Sequence, residues 1–182
     1  MSGIRANKGF TVTTLRGEAG TSGSVSRPPQ IRTMEGLEAE RVTFSSSIVG
    51  KMAKFEFTFT PALRPEDPPF DYEIVTGFAS GHLMSRAAVE EAYKNDNFKH
   101  EYYGVRIDVP VNVIELGVEF PAGFKAAELG ATALYGKTEI VAEAEAARAA
   151  KALQHPSELQ AKIRIEDPLL SYIYAIHWMP AA

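Results

Sequence analysis

Cysteine is absent from this 182-residue sequence. Its absence excludes disulfide bonds, thiol catalysis, cysteine-ligated zinc and iron–sulfur clusters from the chemistry of these residues. Basic residues are too few and too scattered to form a nucleic-acid-binding surface, because such domains carry clustered lysine and arginine, whereas the formal net charge here is -4 at pH 7. We therefore expect no cofactor and no nucleic-acid partner.

Long apolar runs are also missing. No stretch approaches the roughly 18 consecutive apolar residues that indicate a membrane-spanning helix, and residues 1–8 lack the apolar core of a signal peptide. We expect a protein that has no membrane partner and resides in the cytoplasm, or in a virion if it is a phage component.

The common catalytic motifs do not occur. The histidines form neither His-x-His nor His-Glu-x-x-His, and the sequence contains no Gly-x-Ser-x-Gly nucleophile elbow and no phosphate-binding loop. The sequence therefore predicts that the protein is not an enzyme and has no catalytic or metal-ligating residues. One alternative remains open, in which His82 and His100 converge with a carboxylate to form the site of a small hydrolase or ligand-binding enzyme.

The composition that is present, 45% hydrophobic and 23% charged, is typical of a globular protein with a substantial core. Residues 1–40 are rich in Gly, Ser and Thr, which predicts an extended N-terminal arm followed by one domain over residues 41–182. Within the arm, Phe10, Val12 and Leu15 are suited to form one short strand. We expect this strand to dock on the exposed edge of a neighbouring subunit, with docking back on its own domain as the alternative.

Alternating apolar residues predict the strands of the domain. Residues 54–60 alternate strictly up to Pro61, which we expect to end the strand. Residues 105–109 and 114–120 alternate out of phase, which predicts a bulge or a sheet-switching bend between Pro110 and Ile114. Residues 162–166 and 171–178 are predicted to form a hairpin. The predicted core residues are Phe55, Phe57, Phe59, Ile107, Leu116, Val118, Tyr174 and Trp178.

Helical signals are confined to two segments. Residues 85–93 begin with Ser85 at the N-cap position and contain helix-forming residues. Residues 139–153 fit a helix by propensity, although a strand stays open. The sequence thus predicts a mainly β fold, an antiparallel β-sandwich with one or two inserted helices. Tyr102 and Tyr103 are neighbours on a strand and point to opposite faces, so we add them to the candidate interface residues Phe10, Val12 and Leu15.

Two stretches carry a resemblance: residues 110–123 (PVNVIELGVEFPAG), and Asp167-Pro168 with residues 172–178 (YIYAIHW). The region they span, about residues 109–178, resembles the β-sandwich accessory domains that occur beside effector or signalling modules in bacterial signalling and defence proteins. The resemblance implies a non-catalytic interaction or assembly module that binds protein partners or itself. The alternative is a structural subunit of a larger homomeric particle, such as a phage head or tail component. Either role predicts a homo-oligomer or larger assembly.

Overall fold

The computed structural model describes residues 2–4, 12–20, 25–50, 52–78, 85–135 and 140–181. These residues form antiparallel sheets with two α-helices, which confirms the predicted mainly β, sandwich-like class. The strands are β1 (Ser2–Ile4), β2 (Val12–Gly20), β3 (Val25–Glu35), β4 (Val42–Val49), β5 (Met52–Leu63), β6 (Phe70–Phe78), β7 (Glu101–Arg106), β8 (Val111–Glu119), β9 (Ala126–Tyr135), β10 (Ile140–Val141), β11 (Gln154–Ser157), β12 (Gln160–Glu166) and β13 (Tyr172–Pro180). The helices are α1 (Arg86–Ala92) and α2 (Glu143–Lys151).

The chain divides into two compact units that do not follow the predicted boundary at residue 40. Unit 1 comprises Met1–His82 with Val109–Val113, and unit 2 comprises Leu83–Asp108 with Ile114–Ala182. Much of the predicted arm is strand: β2 pairs with β5, and β3 pairs with β6. Both strands therefore belong to unit 1, because hydrogen bonds to β5 and β6 of the same chain satisfy their backbone groups.

Two antiparallel sheets make up unit 1. In one, β5 lies between β2 and β4; in the other, β6 lies between β3 and β1, and β1 also pairs with the first residues of β8. The alternation in β5 buries Phe57 and Phe59, which pack with Leu15, Leu63 and Phe70 in one apolar core. The predicted core residue Phe55 is half-buried and packs against this cluster.

Strand β5 continues past Pro61, contrary to the prediction that this proline ends it. The last pair with β4 joins Phe59 to Val42, and the ladder with β2 is irregular between its Thr58 and Leu63 pairs. Pro61 therefore lies where its missing N–H removes no regular ladder bond. Burial of Leu63, which is 1% exposed, fixes the strand beyond the proline.

Unit 2 contains a four-stranded sheet in the order β10–β9–β13–β7, and among its other strands β12 lies between β11 and β8. The chain leaves β7 for the other sheet through residues 107–110, so the predicted bend is present, slightly earlier than expected. Helix α1 begins with the predicted cap, since the Ala88 N–H donates to Ser85 Oγ at 3.3 Å. Residues 143–151 are helical, with acidic residues in the first turn and basic residues in the last, as the helix dipole favours.

The predicted C-terminal hairpin is wrong. Strands β12 and β13 are consecutive in sequence, but β12 pairs in one sheet of unit 2 and β13 lies at the centre of the other. The reason is that β13 buries consecutive side chains, Tyr174, Ala175 and Ile176, on both of its faces. Burial on both faces is typical of a strand in the interior of a sheet, and β9 and β7 pair with the two edges of β13. Of the predicted core residues in this unit, Ile107, Leu116 and Tyr174 are buried, and Val118 and Trp178 are half-buried.

Candidate functional site

Two histidines meet in unit 2, although they are far apart in sequence. His177 lies on β13 opposite Gly130 of β9, and His100 immediately precedes β7. The centroids of the two imidazole rings are 4.8 Å apart. Phe98 stacks on His100 at 5.0 Å and meets His177 edge-on at 5.2 Å. We call His100, His177, Phe98 and the adjacent Glu128 the histidine cluster.

Glu128 links this cluster to helix α1. One of its carboxylate oxygens lies 3.4 Å from His100 Nε2, and the other accepts a hydrogen bond of 2.7 Å from Arg86 Nη2. Arg86 is the first residue of α1 and also pairs with Glu90 one turn later, at 3.1 Å. The hydrogen bond from Arg86 lowers the pKa of Glu128 below its ordinary value, so this carboxylate stays ionised at neutral pH.

The environment of His177 keeps its imidazole neutral. Burial lowers the pKa of His177 to about 4, and the nearby His100 acts in the same direction. A Cβ atom at Gly130 would lie 2.6 Å from His177 Nε2, so the ring occupies space that only glycine leaves open. Neither Nδ1 atom of the pair has a hydrogen-bond partner among the residues that the structure describes. This half-buried, neutral ring is suited to packing and poorly suited to proton exchange with a substrate.

A buried acid lies one residue further along the same strand pair. Glu101 is 5% exposed and is directly opposite Trp178, whose indole Nε1 donates to its carboxyl group at 3.1 Å. Burial raises the pKa of Glu101 to about 7, against a smaller opposing effect of the indole hydrogen bond. The carboxyl group therefore changes protonation near neutral pH.

These groups only partly match the sequence-based candidates. His82 and Phe10 lie outside the described residues, and the partners of His100 are His177 and Glu128. Of the other candidate interface residues, Leu15 is buried in the core of unit 1 and Val12 is half-buried beside it. Among the described residues, no group of three or more histidines and carboxylates is placed to hold a metal ion.

Tyr102 and Tyr103 are both half-buried on β7. They lie directly opposite His177 and Ile176, and the ring of Tyr102 meets Phe98 at 5.9 Å. Tyr102 therefore belongs to the surroundings of the histidine cluster. Sequence reasoning did not find Glu101, Glu128 or His177 as site residues, because only strand register brings them to these positions.

A second feature of unit 2 is a row of large apolar side chains across one end of its four-stranded sheet. Ile140 pairs with Tyr135, and Tyr135 pairs with Tyr172, so the three side chains share one face. The rings of Tyr135 and Tyr172 are 5.0 Å apart, yet Tyr135 is 53% exposed and Ile140 is 56% exposed. Leu169 and Leu170, which precede β13, are also exposed. We call these five residues the apolar row.

Helix α2 explains where the apolar row stops. Tyr174, two residues beyond Tyr172 on the same face, is fully buried, and its hydroxyl donates to Glu145 of α2. The same hydroxyl accepts a hydrogen bond of 3.0 Å from the Leu169 backbone N–H. The helix thus covers the face at Tyr174, whereas Tyr135 and Ile140 on the same face stay more than half exposed.

Comparison with protein-family models, curated proteins and solved structures finds no match to this chain. Within the described parts of the chain, no helix is long and apolar enough to cross a membrane.

We predict that His100→Ala, like His82→Ala, leaves function intact, because the sequence lacks a catalytic motif and the imidazole of His100 packs against Phe98 and His177. The measurements are partner binding and oligomeric mass, with circular dichroism and thermal melting as controls for folding. Loss of partner binding or a changed oligomeric mass in either variant, with an unchanged spectrum and melting temperature, would contradict this prediction and assign that histidine a functional role.

Proposed function

We propose that the protein is a non-catalytic interaction module whose unit 2 binds a protein partner through the apolar row. The observation that carries this proposal is the exposure of Tyr135, Ile140, Leu169 and Leu170 at one end of the sheet, at 45–56% each. Large apolar side chains that are exposed together favour a surface that another protein covers.

The chemistry of the row supports a protein partner. Tyrosine is enriched at the centres of protein interfaces, because its ring buries a large area while its hydroxyl can still make a polar contact. The two tyrosines are held in contact by the pairing of β9 with β13, so little side-chain freedom is lost when a partner binds. The partner that fits this row presents apolar side chains toward it.

Substitution of the row is expected to abolish partner binding without unfolding the protein. The test variant is Tyr135→Ser with Ile140→Ser, since both side chains are more than half exposed and contribute little to the core. The matched control is Val141→Ser, which removes an exposed apolar side chain from the opposite face of β10. The measurement is co-purification from the native host followed by mass spectrometry, with circular dichroism for each variant.

The expected result is a specific protein recovered with the wild type and with the control variant, and lost with the row variant. A decrease of at least tenfold in its recovery is expected, because truncating a central tyrosine commonly costs ~2 kcal/mol or more. Equal recovery by all three proteins would overturn the assignment of the binding surface to the apolar row.

A further inference from the structure

Among the residues that the structure describes, no strand pairs with the outer edge of β4. Strand β4 pairs with β5 on one side through eight consecutive residue pairs, and the three-stranded sheet of unit 1 ends there. Residues 45–49 are exposed, including Ile48 at 41% and Val49 at 56%. The strand, VTFSSSIV, contains no charged residue and no proline, and its ladder has no bulge. A long, regular and uncharged edge is a template for pairing with another strand.

The other edge strands that the structure describes all carry a protective feature. At the opposite edge of the same sheet, β2 has the exposed Arg16 and an irregular register near Val12. Strand β3 contains two prolines and several register shifts, and β11 is four residues long with a proline. Strand β7 begins and ends with a charged residue, and β10 has two residues. The lack of protection is specific to β4.

We propose that β4 is the edge on which a second copy of this chain docks, antiparallel β4 against β4. A two-fold axis perpendicular to the sheet places a residue opposite its own copy. Centring the axis on Ser46, in the middle of the exposed segment, puts Ser45 opposite Ser47 and Phe44 opposite Ile48. The two three-stranded sheets then continue as one sheet of six strands.

The composition of β4 favours its own copy as the occupant. The strand carries no charge, so antiparallel self-pairing sets no like charges opposite each other. The exposed Ile48 of one copy meets Phe44 of the other on the face where Phe44 contacts Phe57, at 5.0 Å. The pairing therefore covers the exposed Ile48 of one copy with Phe44 of the other copy, which already packs against the core. This surface is separate from the apolar row, so it does not depend on the function proposed above.

The mass of the full-length protein in solution tests this pairing. Light scattering over a range of concentrations is expected to approach twice the 19.9 kDa of one chain. Ser46→Lys is expected to shift the dimerisation constant at least tenfold toward the monomer, because lysine is a residue that natural edges use to block pairing. Thr13→Lys is the matched control, since Thr13 is exposed on β2 at the other edge of the same sheet, and it is expected to behave as the wild type.

Cross-linking gives a second measurement that does not depend on dimer affinity. The chain has no cysteine, so a single introduced thiol can link only to its own copy. With the axis at Ser46, Ser46→Cys places two thiols directly opposite at a spacing that a disulfide can bridge, whereas Thr13→Cys does not. Rapid oxidation of the Ser46→Cys protein alone to a covalent dimer supports the pairing. A monomeric wild type, a dimer unchanged by Ser46→Lys, or equal cross-linking at both positions would overturn it.

Discussion

Phe57→Ala is expected to lower the free energy of unfolding of unit 1 by ~3–5 kcal/mol, which is a large part of the stability of a small domain. Phe57 is fully buried at the centre of the core, where its ring lies 4.8 Å from that of Tyr72, 5.0 Å from Phe44 and 5.3 Å from Phe70. Truncation removes these ring contacts together and leaves a cavity between the two sheets of the unit.

Phe55→Ala is the matched control for that loss. It removes the same number of atoms from the same face of β5, but Phe55 is only half-buried and contacts the edge of the cluster. We expect its cost to be clearly smaller, because both the transfer and the cavity contributions decrease when a site is partly open to water. Urea unfolding followed by far-ultraviolet circular dichroism measures both variants. A near-wild-type curve for Phe57→Ala would show that the buried face of β5 is misassigned, and equal costs would contradict the difference in burial between the two side chains.

The sequence pattern located elements whose signal is local. Alternation of three phenylalanines over residues 54–60 predicted β5 and its buried face, because side chains on a strand repeat every two residues. The opposite phases of residues 105–109 and 114–120 predicted a bulge or a sheet-switching bend between Pro110 and Ile114, and the chain changes sheets at residues 107–110. Ser85 predicted the start of α1, since a serine hydroxyl can accept from the free N–H groups of the first turn.

Features that depend on long-range strand pairing could not be predicted from local sequence patterns. Nothing local indicates that β2 pairs with β5 forty residues away, so the Gly- and Ser-rich start was predicted to be an arm. The histidine cluster has the same origin: the register of β13 against β9 and β7 brings His177 beside His100. Composition cannot report register, because a residue's neighbours across a sheet are set by the whole ladder.

The pH dependence of unit 2 is expected to arise from two groups with opposite signs. The folded protein raises the pKa of Glu101 from 4.5 to about 7 by burial. Because the folded state holds this proton more tightly than the unfolded state does, stability is greatest below pH 4.5 and decreases as the pH rises to 7. From pH 7 to pH 5, protonation of Glu101 therefore adds about 2 kcal/mol to the free energy of unfolding.

The effect of His177 on the pH dependence of stability has the opposite sign. Burial lowers its folded-state pKa from 6.5 to about 4, so the unfolded state binds the proton first as the pH falls. The contribution of His177 to the free energy of unfolding is fully present above pH 6.5 and decreases as the pH falls toward 4. Between pH 7 and pH 5 the loss is about 2 kcal/mol, which offsets the gain from Glu101. Wild-type stability is therefore expected to change little over this range.

Glu101→Gln is expected to reveal the contribution of His177 to the pH dependence of stability. The amide has the shape of the carboxyl group and can still accept the hydrogen bond from Trp178, but it cannot ionise. At pH 7 the variant should be more stable than the wild type by about 2–3 kcal/mol, and on acidification to pH 5 it should lose about 2 kcal/mol.

Urea unfolding at pH 5, 6, 7 and 8 tests this expectation through the fluorescence of Trp178, which is the one tryptophan of the chain and contacts Glu101 directly. Glu119→Gln, which removes an exposed carboxylate from β8, is the matched control and should follow the wild-type profile. If the wild type and Glu101→Gln keep the same difference in stability at every pH, Glu101 has the same proton affinity in the folded and unfolded states. The prediction that the contributions of Glu101 and His177 to stability offset each other between pH 7 and pH 5 would then be wrong.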